Sequence, residues 1–122
     1  MTDLPTLDAA ISAFREAANA KGDFQPLAAR DHALHAAMQR AVREFDAAGL
    51  QGLSALRVLA EDSSPHVRSW AAAELLSRGD TTMVAVLQEL VSHGGLPALD
   101  ADMTLKEYRA GRLGSPFGSP AS

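Results

Sequence analysis

The chain has 122 residues, 47% of them hydrophobic and 21% charged, with a formal net charge of −4 at pH 7; this suits one globular domain and excludes a wholly disordered chain. With no cysteine it has no disulfide framework, iron–sulfur site, thiol nucleophile or Cys-ligated zinc, and its mild acidity argues against general nucleic-acid binding. No apolar run reaches the ~18–20 residues of a membrane span and the N-terminus does not read as a signal peptide, so a cytoplasmic protein without a membrane role is expected.

Alanine occurs 24 times and leucine 16 times against seven valines and isoleucines together, a composition that favours helices over strands. Leu7, Ile11, Phe14 and Ala18, spaced four, three and four apart, put one stripe on a helix from Asp8 to Ala20, with Thr6 or Asp8 as its cap. Lys21-Gly22-Asp23 ends it. A longer helix is expected from Gln25 to Ala48, with Pro26 in its first turn and Leu27, Leu34, Met38, Val42 and Phe45 as its stripe. Gln51 to Ala60 carries Leu53, Leu56 and Leu59. Ser64-Pro65 then reads as N-cap and first residue of a fourth helix to Ser77, with Val67, Ala71 and Leu75 inward.

Asp80 or Thr81 caps a fifth helix whose stripe is Met83, Leu87, Leu90 and Val91. Leu96-Pro97-Ala98-Leu99 reads as a turn that drops apolar side chains onto the body. Asp100 or Asp102 then caps a short last helix carrying Met103, Leu105 and Tyr108. Eight of the final twelve residues are Gly, Ser or Pro, so 111–122 is expected to be a flexible tail. Phe117 is the one candidate docking residue in it, a plain disordered tail being the preferred reading.

Between Leu53 and Leu76 an apolar helix is followed by Asp62, Pro65, Val67, Arg68, Ala71, Ala72 and Leu75. This pattern resembles a HEAT-type repeat, with a first helix, a tight turn holding Asp and Pro, and a second helix opening Val-Arg and continuing Ala-Ala. Ala71 and Ala72 allow close packing, and the Asp62–Arg68 pair is placed to brace the turn. Asp80 to Val91 resembles the first helix of another such unit. The ending, Gly94-Gly95, then Asp100-Ala101-Asp102-Met103-Thr104-Leu105 and Gly111, is similar to that of a small bacterial HEAT-like family of domains of unknown function. That family's pattern runs approximately G-D-A-G-M-T-L, and Asp102 stands where its glycine falls. The resemblance spans residues 8 to 112 and implies an all-helical superhelix, but no particular activity.

The chemistry-bearing residues are few. His32 and His35, three apart on one helix beside Asp31, share a face, yet zinc takes three or four protein ligands and no H-E-x-x-H spacing occurs. The carboxylates Glu16, Glu44, Asp46, Glu61, Asp62 and Glu74 show no specific pairing of the kind acid–base catalysis uses. Arg30, Arg40 and Arg43, extended by Arg57, Arg68 and Arg78, form a possible basic strip, but without aromatic residues interleaved to stack bases. Trp70 falls about 100° from the centre of the Val67–Ala71–Leu75 stripe, at a boundary where it covers the core edge or, with Arg68, meets a partner.

The fold expected is therefore all-α: a short α–α superhelix of HEAT-like antiparallel helix pairs, five to six helices over 1–110, followed by the tail. The function expected is a non-catalytic protein–protein interaction module without cofactor or metal, with Trp70 and Arg68 at the partner surface and self-association open. An immunity or inhibitor protein against a bacterial toxin is the sharper alternative, since acidic surfaces complement basic nuclease sites. The enzyme alternative is a metal-dependent hydrolase built on His32, His35 and a nearby carboxylate.

Overall fold

The computed structural model describes residues 4–23 and 28–118, and these form six helices: α1 (Leu4–Asp23), α2 (Ala28–Ala47), α3 (Leu50–Leu59), α4 (Pro65–Ser77), α5 (Met83–His93) and α6 (Leu96–Arg109). No strand occurs among the described residues. Each helix packs against the next in sequence, and α4 also meets α1 and α6, so the array is a short α–α superhelix with α4 at its centre. The stripes read from the sequence supply the core. Phe14, Met38, Val42, Phe45, Leu56, Leu59, Val67, Leu75, Leu87 and Leu90 are all buried.

The central position of α4 explains its composition. A helix with neighbours on several sides needs small residues where their backbones come close, and Ala71, Ala72 and Ala73 are all buried, as are Leu75 and Leu76. Pro65 opens this helix behind an extended Ser64, as its fixed φ and missing N–H favour. The helix closes at Gly79, whose φ of +98° suits a residue without Cβ. There the N–H groups of Gly79 and Asp80 donate to the carbonyls of Leu76 and Leu75. The next helix starts with help from the Asp80 carboxylate, which accepts from the Thr82 N–H at 3.1 Å.

Two boundary expectations need correction, and a third falls outside the described residues. Helix α1 begins by Leu4 and runs to Asp23, so Thr6 and Asp8 lie inside it and Gly22 does not stop it; one glycine disfavours a helix by only about 1 kcal/mol. The expected start of α2 at Gln25, with Pro26 and Leu27, lies outside the described residues. Leu96–Leu99 is the first turn of α6, not a separate turn: Gly94 and Gly95, both at positive φ, make the whole reversal and leave Pro97 in the first turn of the helix. Neither Asp100 nor Asp102 is then at a cap.

The orientation of α6 also departs from expectation. Its inner face is Pro97, Ala98, Ala101 and Leu105, all buried, while Leu96, Leu99 and Met103 are 51%, 62% and 65% exposed. At about 100° per residue, positions 96, 99 and 103 cluster on the side opposite 98, 101 and 105. Val91 on α5, expected in the core, is also exposed.

Candidate functional site

Trp70 lies half-buried on the side of α4 that faces the α1–α2 pair. Its ring centre is 5.7 Å from that of His35 on α2 and 5.6 Å from that of Phe117. Lys21, near the end of α1, holds its ammonium 5.4 Å from the indole ring centre, in cation–π range. The same ammonium donates to Asp31 Oδ1 at 2.6 Å. That hydrogen bond holds the Asp31 carboxyl below its usual range, with partial burial opposing it and the positive charge of Lys21 adding to it. Trp70 therefore covers the edge of the core where three helices converge.

The residue that completes this edge is Phe117, which is buried. It stands edge-on to Phe14 at 5.5 Å and tilted against His35 at 5.3 Å. Phe14 in turn contacts Phe45 at 6.2 Å, which ties the cluster to the core. The main chain beside it is held by side-chain donors: His35 Nε2 donates to the Pro116 carbonyl at 2.9 Å, and Gln39 Nε2 to the Phe117 carbonyl at 3.4 Å. The Ser115 hydroxyl donates to Glu74 Oε1. Residues 115–117 thus pack across α1, α2 and α4, and the expectation of a flexible tail from residue 111 does not hold for them. One aromatic ring with a preformed pocket outweighs the ordering entropy that glycine, serine and proline otherwise impose.

Glu74, named from the sequence only as one of six carboxylates without specific pairing, is fully buried. Its Oε2 accepts from Arg78 Nε at 2.6 Å, and Arg78 also reaches Asp46 at 2.7 Å. Burial disfavours the charged guanidinium, but the bonds and charges of Glu74 and Asp46 outweigh it and raise the Arg78 pKa. Two signals were available. Glu74 and Arg78 are spaced i, i+4, and the wheel that placed Trp70 puts position 74 between Trp70 and the buried stripe.

Arg68 lies elsewhere. Positions 68 and 70 are about 200° apart on a helix, so the two residues do not form one patch. Arg68 donates to the carbonyls of Asp62 at 2.8 Å and Ser63 at 3.3 Å and lines a shallow groove with Ala60, Glu61, Val86 and Glu89. It braces the α3–α4 turn through main-chain carbonyls. The Asp62 carboxylate is instead engaged by Arg15 at 2.7 Å and by the Ser64 N–H at 3.0 Å.

The remaining candidates disperse. His32 is exposed while His35 is engaged in the Phe117 cluster, and no group of three His, Asp or Glu among the described residues is placed to hold a metal ion. The arginine strip is interrupted, since Arg57 faces Asp80 at 3.6 Å and Arg78 is bound to Glu74 and Asp46. Both arginines border a cleft of about 670 Å³ between the α2–α3 and α4–α5 turns, but Asp46 and Asp80 line it with them. No helix among the described residues is long and apolar enough to cross a membrane. Compared with protein-family models, curated proteins and solved structures, the chain finds no match in any of the three.

Proposed function

We propose that this chain is a non-catalytic protein-interaction module of HEAT-like construction, with the outer face of α6 as a contact surface. The observation that carries this reading is the row Leu96, Leu99 and Met103, each at least half exposed on one side of the last helix. The inner side of the same helix is already satisfied by Ala98, Ala101 and Leu105, so the row does not serve the core. Contiguous exposed apolar side chains mark interaction surfaces more often than chance scatter does.

The test is capture of partners by the tagged chain, set beside a Leu99→Asp, Met103→Asp variant, with sedimentation velocity on both proteins. A stoichiometric partner, or a dimer of the chain itself, that is present with the wild type and lost with the folded variant supports the reading. Equal capture by both proteins removes α6 from it. A toxin as the captured partner turns the module into an inhibitor.

A further inference from the structure

We infer that the groove bounded by Phe14, His35, Gln39, Trp70 and Glu74 is a peptide-recognition site, occupied in this state by the chain's own Ser115-Pro116-Phe117. Its occupant in trans is a turn-forming segment of a partner protein with the same chemistry: a hydroxyl residue, a proline and then an aromatic ring, as in the turn that the Gly118 N–H closes onto the Ser115 carbonyl at 3.2 Å. This goes beyond the α6 surface and involves none of its residues, so failure of the α6 variants to lose a partner leaves it standing.

The contacts divide as those of a peptide groove do. His35 and Gln39 donate to two successive main-chain carbonyls, of Pro116 and Phe117. Such bonds hold the main chain of the turn in place whatever its side chains, as main-chain bonds do in other peptide-recognition modes. Selectivity then comes from two places. The ring of Phe117 fills a cavity walled by Phe14, His35 and Trp70, and the Ser115 hydroxyl meets the fully buried carboxylate of Glu74. Glu74 accepts a hydrogen bond from Arg78 on Oε2 and one from Ser115 on Oε1, so the groove presents an acceptor suited to a donor-bearing residue.

The occupant is also detachable in principle. No helix follows α6 among the described residues, and Gly111 and Gly114 lie between Arg109 and the docked residues. Release of 115–117 therefore requires none of the six helices to unwind. A segment tethered this closely acts at an effective concentration of order mM, enough to exclude a weaker free peptide until a better partner competes.

The experiment uses the full chain with Phe117→Ala, the wild type, and a fluorescein-labelled peptide of sequence Leu-Gly-Ser-Pro-Phe-Gly, read by fluorescence anisotropy. Saturable binding to the Phe117→Ala chain below about 1 mM peptide is expected. Binding to the wild type should be at least about tenfold weaker, because the tethered segment competes. Adding Trp70→Ala, or replacing the peptide's phenylalanine with alanine, should abolish it. A second release variant, Ser115→Asp, keeps the aromatic ring but sets a carboxylate against Glu74, and it should also gain peptide binding. Absence of binding to both folded variants overturns the proposal, as does binding indifferent to the peptide's aromatic residue. Unfolding of both variants also overturns it, since the segment is then a permanent part of the core.

Discussion

At Gly52 a single methyl group decides whether α2 and α3 can close on each other. An ideal Cβ there would lie 1.7 Å from the Phe45 carbonyl oxygen, a main-chain atom that cannot step aside. Alanine usually stabilises a helix interior over glycine by about 1 kcal/mol. Here the sign inverts, and Gly52→Ala is expected to destabilise by about 3 kcal/mol, read as a lowered urea midpoint. Glu74 makes a second residue-scale case. Glu74→Gln removes one of the two carboxylate partners of half-buried Arg78 and is expected to lower stability by about 2 kcal/mol, while the double change Glu74→Gln, Arg78→Met recovers part of that loss; urea titration of the three variants checks it. Neither site was read from the sequence, for different reasons. Gly52 has ordinary helical φ and only the neighbouring helix makes it special. Glu74 was legible on the helical wheel, but it was read only as one of six carboxylates without specific pairing, and its partner Arg78 emerges in the fold.

At the scale of the element, apolar spacing identified all six helices but misplaced the start and the inward side of α6. Periodicity reports that a helix has an apolar side, not which side faces inward, and α6 has two. Its small residues Ala98 and Ala101 pack inward because α4 and α5 approach closely, which pushes Leu99 and Met103 outward. Changing Leu99 and Met103 together to glutamate is therefore expected to alter stability by no more than about 0.5 kcal/mol, whereas Leu105→Ala lowers it by about 3 kcal/mol; thermal melts of the two variants decide it. The α1–α2 pair carries a pH-dependent clasp. Hydrogen bonding from Lys21 lowers the Asp31 pKa in the folded state, so its stabilisation is present above the usual carboxylate range and lost as pH falls through the folded value. Because Asp31 is substantially exposed, the contribution is at most about 0.5 kcal/mol. Asp31→Asn should flatten the stability profile below about pH 4, measured as urea midpoints across that range.

At the scale of the whole molecule, the six helices leave an edge uncovered where α1, α2 and α4 meet. The chain returns to close it with Phe117. Composition pointed the other way, because a Gly/Ser/Pro-rich segment buries little surface on average, and one aromatic ring is easily outvoted in an average. Trp70 was correctly placed at a boundary, yet what it covers depends on a residue 47 positions away, a relation no local spacing carries. Arg68 was grouped with it because tryptophan and arginine are enriched in binding hot spots, and helical geometry separates them. The most direct test is a nuclear Overhauser measurement on the full chain in solution, observing the Phe117 ring protons. Cross-peaks from Phe117 to Phe14, His35 and Trp70, all within the ring distances given above, are the expected result. Random-coil shifts for residues 113–118 with no such cross-peaks contradict the closed groove, and with it the account of how this chain occupies its own binding site.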